Sequence, residues 1–326
     1  RFCKPPRRES MELRELGKSG IKVAPLGFGG NVFGWTVDEV RSFELLDCFV
    51  DLGFNLIDTA DVYSAWVPGH KGGESELIIG KWLKKTGKRS KVVLATKVGH
   101  ELMPGSEGLR KDYILRAVED SLRRLGTDTI DLYQAHRDDP NTPFSETHEA
   151  FELLRKQGKV RAIGASNFSA ERLKESLDYC KQRAITRYEV LQPLYNLYDR
   201  HEFETELQPL CEEHGLSVIN YYSLAAGFLT GKYRESGDLA GSIRGRGAVK
   251  RYFNEKGFRI LEVLDQVSKR FSASPAQVSL AWLLTKKTIA APLASATTSE
   301  QLRELAGAVD LRLDEESIAA LDHAHG

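Results

Sequence analysis

The sequence predicts an α/β protein in which eight strands, each followed by a helix, close into a (β/α)8 barrel. Short apolar runs alternate with longer amphipathic stretches along most of the 326 residues, and this order is typical of a parallel sheet. The apolar runs are nearly continuous, as in strands that are covered on both faces. Eight such units in a chain of this length favour a closed barrel over an open, doubly wound sheet.

The predicted elements follow from the turn and cap residues at their ends. Ser169 and Ser274 stand where helix N-caps are expected, and glycines such as Gly126 and Gly215 stand where helices should end. The predicted strands are 24–29, 55–58, 92–97, 130–135, 160–165, 189–192, 217–221 and 288–293. The predicted helices are 37–52, 75–85, 111–125, 144–157, 170–183, 203–213, 275–284 and 299–308.

Three segments fall outside the eightfold pattern. Residues 11–23 predict a β-hairpin that caps the closed bottom of the barrel. The stretch 233–256 is too long for a plain connection, and it precedes an extra helix at 257–271, one of the extra C-terminal helices that we expect. Residues 1–10 are basic, and we expect them to form a flexible leader ahead of one barrel domain over 11–326.

The composition argues against several classes of partner. Lys+Arg and Asp+Glu both number 46, whereas proteins that bind nucleic acid usually carry a basic excess. No run of about 18 apolar residues is present, so the sequence predicts no membrane span. The four cysteines are scattered without a C-x-x-C pair, which is typical of reduced thiols in a cytoplasmic protein. No feature distinguishes a monomer from a homo-oligomer.

Polar side chains follow three successive predicted strands. Asp58, Lys97 and His136 each stand at a strand end, at intervals of 39 residues, and Tyr63 lies in the loop after Asp58. Catalytic residues of such barrels lie at the carboxyl ends of the strands. We therefore expect these four side chains to converge at one mouth of the barrel.

This set of side chains fits the reduction of a carbonyl group. A carbonyl that accepts hydride needs a proton, and Tyr63 is predicted to donate it. The ammonium of Lys97 is expected to lower the Tyr63 pKa, while Asp58 holds the lysine and His136 orients the carbonyl oxygen. Each residue alone has an ordinary structural explanation, but the four together indicate a catalytic site. No side chain carries hydride, so a nicotinamide cofactor is implied.

Six segments carry ordered motifs along the chain. They are 56–63 (LIDTADVY), 73–76 (GESE), 94–99 (LATKVG), 131–136 (DLYQAH), 158–168 (GKVRAIGASNF) and 229–233 (LTGKY). In these motifs the chain resembles the aldo-keto reductase superfamily, from about residue 11 to about residue 321. The resemblance implies a barrel with a tetrad of Asp58, Tyr63, Lys97 and His136, in which Tyr63 is the general acid and base.

The resemblance also implies where a nicotinamide dinucleotide binds. Ser166, Asn167 and Gln192 are similar to the contacts of the carboxamide group, and Tyr221 is similar to the residue that stacks on the nicotinamide ring. The other expected contacts are Gly30, Asn31 and Asp58 near the nicotinamide, Tyr222, Ser223, Leu224, Ala225, Gly227 and Lys232 near the pyrophosphate, and Ser295, Thr297 and Gln301 near the adenosine.

The identity of the cofactor depends on the adenosine end. The resemblance favours NADP(H), but this chain has no basic residue from Leu293 to Leu302 to hold a 2′-phosphate. A 2′-phosphate without a guanidinium lacks a charge-assisted contact. NAD(H) is therefore the alternative cofactor, and we expect weakened discrimination between the two.

Aromatic residues near the mouth indicate the class of substrate. Phe33 and Trp35 in the first barrel loop, together with Trp66, predict an apolar slot beside Tyr63 and His136. Such a slot suits a small aldehyde, ketone, alcohol or sugar-like molecule.

Two functions compete with an NAD(P)H-dependent oxidoreductase that acts on a carbonyl/alcohol pair in either direction. One is a cofactor-sensing regulatory subunit, because ion-channel β-subunits resemble the same family and keep the tetrad. The other is hydrolase or lyase chemistry, which usually needs metal ligands or paired carboxylates at strand ends. The sequence has neither arrangement at its strand ends, and we predict no metal site.

Overall fold

Eight parallel strands form a sheet that closes on itself in the computed structural model, which describes residues 11–235, 238 and 249–324. These eight strands are β3 (Gly27–Gly29), β4 (Leu56–Asp58), β5 (Val93–Val98), β6 (Ile130–Ala135), β7 (Val160–Ser166), β8 (Tyr188–Gln192), β9 (Ser217–Val218) and β10 (Leu293–Ala294), and a separate hairpin before them consists of β1 (Arg14–Glu15) and β2 (Lys22–Val23). From β3 to β9 each strand pairs with the next, and β10 pairs with β3. Bonds from Val218 N–H to Thr288 O (2.9 Å) and from Ala290 N–H to Val218 O (2.8 Å) complete the ring. The predicted barrel is confirmed.

The barrel interior changes from apolar to polar along its axis. The lower layer is an apolar cluster of Leu16, Ile21, Val23, Leu56, Val93, Ala95, Leu132, Ala162, Val190, Ile219, Ala290, Ala291 and Leu293. Because every second residue of a strand shares a face, the next inward positions after Leu56, Ala95, Leu132 and Val190 are Asp58, Lys97, Gln134 and Gln192. The carboxyl end of the barrel therefore holds a buried polar layer above an apolar plug.

The N-terminal hairpin covers the amino end of the barrel, as predicted. Strands β1 and β2 pair antiparallel, with Arg14 opposite Val23. Leu16, Ile21 and Val23 belong to the interior apolar cluster, and Gly17 N–H donates to Ser217 Oγ at 2.8 Å. Burial of each aliphatic side chain contributes about 1.5–3 kcal/mol, so the hairpin holds the bottom of the barrel closed.

Helices surround the sheet, and their ends follow the cap residues. They are α1 (Glu39–Asp51), α2 (Glu74–Thr86), α3 (Lys111–Leu125), α4 (Phe144–Lys156), α5 (Ala170–Arg183), α6 (Gln208–His214), α7 (Glu255–Phe271), α8 (Pro275–Leu284), α9 (Ser299–Ala306) and α10 (Glu315–Asp322). Ser169 accepts a bond from Arg172 N–H, and Ser274 forms a reciprocal capping box with Gln277. Gly126 and Gly215 end α3 and α6 in the left-handed conformation. Each side-chain cap contributes about 1 kcal/mol.

Some elements differ from their predicted bounds for local reasons. The helix predicted at 37–52 begins at Glu39, because Asp38 accepts a bond from Arg41 N–H and acts as its N-cap. The helix predicted at 203–213 opens with a π-helical turn over Phe203–Leu207; Pro209 lacks the N–H that a regular ladder needs there. Strand β9 is shorter than the predicted 217–221 because its neighbour Pro193 has no N–H to donate, although Ile219 N–H still donates to Leu191 O at 3.1 Å and Tyr221 N–H to Pro193 O at 3.0 Å.

Two further predictions concern a leader at residues 1–10 and membrane-spanning segments. The predicted leader, residues 1–10, lies outside the described residues. Among the described residues, no helix combines the length and the apolar character that crossing a bilayer requires.

Candidate active site

Lys97 occupies the centre of the buried polar layer. Its side chain is fully buried near the end of β5. An ammonium group has three hydrogens, and Lys97 Nζ donates to Asp58 Oδ2 at 2.7 Å, to the Thr59 carbonyl at 2.7 Å and to Tyr63 Oη at 2.9 Å. Burial lowers the pKa of Lys97, and the neighbouring carboxylate of Asp58 opposes that shift. The pairing with Asp58 compensates for the water that the ammonium has lost.

Asp58, the last residue of β4, is held from both sides. Its Oδ2 binds Lys97, while its Oδ1 accepts hydrogen bonds from Gln192 Nε2 at 2.9 Å and from Gln134 Nε2 at 3.2 Å. The two glutamines come from β8 and β6, so the polar layer spans the barrel interior. These contacts fix the direction of the carboxylate and therefore the position of Lys97.

Tyr63 lies partly exposed in the loop after β4. Its oxygen accepts the bond from Lys97, so its own hydrogen is left for a group in the mouth. Burial raises the pKa of Tyr63 well above its ordinary value, and the carboxylate of Asp58 raises it further. The expectation of a lowered Tyr63 pKa is wrong in the structure, because burial of the phenol and the carboxylate of Asp58 outweigh the hydrogen bond from Lys97. Tyr63 is therefore a neutral proton donor at pH 7.

His136 follows β6 and completes the set of four predicted side chains. Its ring centroid lies 6.0 Å from the ring of Tyr63 and 4.7 Å from that of His100. Burial lowers the His136 pKa well below its ordinary value, and the charge of Lys97 lowers it further. The imidazole is therefore neutral and has one N–H to donate to a carbonyl oxygen. The structure brings all four side chains to one end of the barrel.

Trp35 and Trp66 border this site, whereas Phe33, which was also predicted to line it, is buried elsewhere. Trp66 lies edge-on to Tyr63 at 6.0 Å between ring centroids and to Trp35 at 5.6 Å. Trp66 is 41% exposed, so it offers apolar surface at the mouth. Phe33 is fully buried in the core, stacked on Phe28 at 5.2 Å. The expectation that Phe33 lines a substrate slot is corrected, because its ring completes the packing beneath the first loop.

The residues expected at the carboxamide form one connected group. Asn167 Nδ2 donates to the His136 carbonyl at 2.9 Å and to Ser166 Oγ at 3.0 Å. Ser166 Oγ donates to the Gln192 carbonyl at 2.8 Å, and Tyr221 Oη donates to Asn167 Oδ1 at 2.8 Å. Asn167 has a left-handed backbone with φ of 55°, which turns its side chain back onto the strand ends. These polar groups therefore lie beside the tetrad.

Four of the six residues in the loop 222–227 have a left-handed backbone conformation. Tyr222, Ala225 and Ala226 have φ of 54°, 48° and 56°, and Gly227 has φ of 97°. Positive φ at residues other than glycine is strained and is often found at binding sites. Ser223 departs from the expected role, because the residue is 1% exposed and its hydroxyl is hydrogen-bonded to Asn220.

The ammonium of Lys232 lies beside this loop. A Cβ added to Gly227 would be 3.7 Å from Lys232 Nζ. Leu224 belongs to the same turn and accepts a bond from Gly227 N–H at 2.8 Å. The loop and the lysine together offer a cationic, backbone-rich surface for an anion.

The residues expected at the adenosine end lie near the first loop and at the start of α9. Ser295 Oγ is 2.7 Å from the Gly29 carbonyl and 2.8 Å from Asn31 Oδ1. Thr297 donates through its backbone N–H to Gln301 Oε1 at 2.9 Å. Gly30 is closely confined, since an added Cβ would lie 3.0 Å from the Asp58 carbonyl.

Three polar residues near the site are not among the predicted site residues. Gln134 stands two residues after Leu132 on the inward face of β6, and this spacing is the signal that could have found it. His100 Nδ1 accepts a bond from Leu102 N–H at 3.1 Å, so the neutral ring carries its hydrogen on Nε2. Glu76 is fully buried beneath β5 and lies in the motif 73–76.

A phenol held by a buried ammonium–carboxylate pair, beside a neutral imidazole, is suited to proton transfer during hydride chemistry. Residues 25–325 match the Aldo/keto reductase family. The chain belongs to the aldo/keto reductase family. This membership agrees with the resemblance that the six sequence motifs indicate.

Curated relatives of this aldo-keto reductase match most of its length. The uncharacterized oxidoreductase YrpG of Bacillus subtilis (strain 168) is 37% identical over 96% of this chain and 95% of its own length. Aldo-keto reductase YhdN of the same organism is 35% identical over 84% of this chain and 81% of its own length. A probable voltage-gated potassium channel subunit beta of Arabidopsis thaliana is 32% identical over 92% of both chains. Family and relatives support an NAD(P)H-dependent oxidoreductase.

Proposed function

We propose that this aldo-keto reductase transfers hydride between a nicotinamide and a small carbonyl or alcohol substrate, with Tyr63 as general acid and base. The main support for the role of Tyr63 is the hydrogen-bond pattern around Lys97. All three ammonium hydrogens are donated to protein oxygens, one of them to Tyr63 Oη at 2.9 Å. The phenol hydrogen therefore faces away from Lys97 and is available to a substrate oxygen.

The four side chains have distinct roles in the proposed reaction. A bound nicotinamide supplies or accepts the hydride. In reduction, Tyr63 gives its proton to the oxygen that becomes an alkoxide, while His136 holds that oxygen through an N–H. Lys97 stabilises the phenolate that remains, and Asp58 keeps the lysine in place throughout. In oxidation, the phenolate of Tyr63 accepts the proton of the alcohol.

The residues around the mouth fit a dinucleotide. The left-handed backbone of 222–227 and the ammonium of Lys232 suit a pyrophosphate. Ser166, Asn167 and Gln192 offer amide and hydroxyl groups beside the tetrad for a carboxamide. We propose that these residues hold the cofactor, with Ser295, Thr297 and Gln301 at its adenosine end.

We further propose that NADP(H) and NAD(H) are discriminated only weakly. Arg303 is the first basic residue after Leu293 in the sequence, and its guanidinium lies 3.5 Å from Glu300 of the same helix, α9. Loss of a charge-assisted contact to a 2′-phosphate is worth about 1.5–3 kcal/mol, or about 10- to 100-fold in affinity. Without that contact, we expect the two cofactors to differ by less than about 10-fold in kcat/KM. Strong use of NADPH with NADH nearly inert would refute this proposal.

Turnover assays test the catalytic role of Tyr63 directly. Nicotinamide absorbance is followed with a panel of aldehydes, ketones and sugars, and with the matching alcohols. Tyr63→Phe should lower kcat by about 100- to 10,000-fold, because it removes the proton donor, and should leave cofactor affinity unchanged. Tyr179→Phe on α5, whose ring lies 5.8 Å from the Arg183 guanidinium, is the matched control and should keep full activity. Full activity of Tyr63→Phe would contradict the proposal.

A cofactor-sensing regulatory barrel is the second candidate function. Relatives named as probable potassium channel subunits beta favour it, since one is 32% identical over 92% of this chain. Tight cofactor binding without turnover of any panel member, in either direction, would support this function over the enzyme.

A further inference from the structure

A third carboxyl group is buried beside the tetrad, and the proposed mechanism does not use it. Asp61 is 2% exposed, and neither of its carboxylate oxygens has a hydrogen-bond partner in the part of the chain that the structure describes. Its backbone N–H donates to the carbonyl of Lys97 at 3.3 Å. The residue is therefore tied to the end of β5, next to the catalytic lysine.

The charges around Asp61 are already paired with one another. Lys97 Nζ lies 2.7 Å from Asp58 Oδ2, and Arg124 Nε of α3 lies 2.7 Å from Glu76 Oε2 of α2. Two cations and two carboxylates therefore balance without Asp61.

The Arg124–Glu76 pair is built into the helices that cover this strand end. Glu76 Oε1 accepts the hydroxyl of Thr96, the residue before Lys97, at 2.6 Å. Gly73 leaves room for the guanidinium, because an added Cβ would lie 2.4 Å from Arg124 Nε. Arg124 is therefore committed to Glu76 rather than to Asp61.

An ionised carboxylate without a partner is costly in such surroundings, so the group keeps its proton. Burial and the negative charge of Glu76 raise the pKa of Asp61 to about 8, although Arg124 and Lys97 act in the opposite direction. The other titratable groups that interact with Asp61 are the phenols of Tyr113 on α3 and Tyr133 on β6, both with a raised pKa. These phenols stay neutral across the physiological range.

We propose that Asp61 is a positioning residue that is protonated in the working enzyme and acts on Tyr63 through Lys97. The inference rests on the proposed function. While Asp61 is neutral, the ammonium of Lys97 faces one carboxylate and stabilises the phenolate of Tyr63. When Asp61 ionises, a second negative charge opposes that phenolate, so Tyr63 becomes a weaker acid and turnover falls.

The dependence of reduction on pH tests this role. Between about pH 7 and about pH 9, kcat of the wild type should fall about tenfold as Asp61 loses its proton. Asp61→Asn keeps the shape and remains neutral, so its kcat should stay level over the same range while its cofactor KM is unchanged. Asp128→Asn on the surface is the matched control and should follow the wild type. An equal fall in Asp61→Asn overturns the proposal.

Infrared spectroscopy detects the proton without any turnover. The carbonyl stretching band of a protonated carboxyl group should be present in the wild type near neutral pH and absent in Asp61→Asn. In Glu76→Gln, Arg124 becomes free to pair with Asp61, so the band should disappear. This variant therefore tests the protonation of Asp61 even if Asp61→Asn does not fold. A wild type without the band overturns the proposal. If the band is present but Tyr63→Phe keeps full activity, the proposed function fails while the protonation of Asp61 stands.

Discussion

Breaking the pair of Lys97 and Asp58 should destabilise the protein strongly. Lys97→Met leaves Asp58 Oδ2 without its 2.7 Å donor, and Asp58→Asn leaves a buried ammonium without a counter-charge. The side chains are 0% and 2% exposed, so water cannot replace the lost partner. Removing one member of such a pair costs about 3–5 kcal/mol in free energy of unfolding.

The double variant Lys97→Met/Asp58→Asn measures the interaction energy of the pair separately from the cost of each substitution. Removing both charges avoids the unpaired ion, so its cost should fall short of the sum of the two single costs by about 3 kcal/mol or more. Urea unfolding followed by circular dichroism measures the change in free energy of unfolding for each single variant and for the double variant. The pair of Lys81 and Glu39, 60% and 45% exposed, is the control and should couple by no more than about 1 kcal/mol. Additivity of the buried pair within about 0.5 kcal/mol would refute the reasoning.

Three further predictions concern stability. Gly30→Ala should cost about 1–3 kcal/mol and reduce turnover, because the new Cβ would lie 3.0 Å from the Asp58 carbonyl and 3.1 Å from Ser75 Oγ; an unchanged melting temperature would contradict this. The depressed pKa of His136 means that the unfolded chain binds a proton first as pH falls below about 6.5. Wild-type stability should therefore drop there by more than that of His136→Asn, as measured by urea unfolding. Asp61 makes stability depend on pH in the opposite direction, because its pKa rises from 3.8 to about 8 on folding. The free energy of unfolding should therefore fall by on the order of 5 kcal/mol as the pH rises from about 4 to about 8. Asp61→Asn should lack that fall, and an identical pH profile would contradict the raised pKa.

The local order of the chain could be predicted because its signals are local. The start of α8 is indicated within four residues by Ser274, Pro275 and Gln277, and the structure forms the full capping box. Element ends were less accurate where a neighbouring strand that is distant in sequence decides them. The ladder of β9 is interrupted opposite Pro193, which has no N–H to donate, and the residues around 217–221 contain no signal of that neighbour.

The same distinction applies to the candidate site. The spacing of Asp58, Lys97 and His136 predicted one convergent group, because parallel strands of a barrel end at a common face. The position of Phe33 could not be predicted, since an aromatic ring in a loop packs inward or outward according to the neighbours it meets. Here it meets Phe28 and is buried.

The sequence alone determined the barrel, the N-caps of α5 and α8, the family and the identity of the four polar side chains at the mouth. These follow from residue type, periodicity and order along the chain. Only the tertiary structure decided the charge state of those groups. The pKa of Tyr63 and of Asp61 depends on how much water each has lost and on which charges, distant in sequence, already have partners. Burial and pairing are properties of the packed molecule, so no stretch of sequence specifies them.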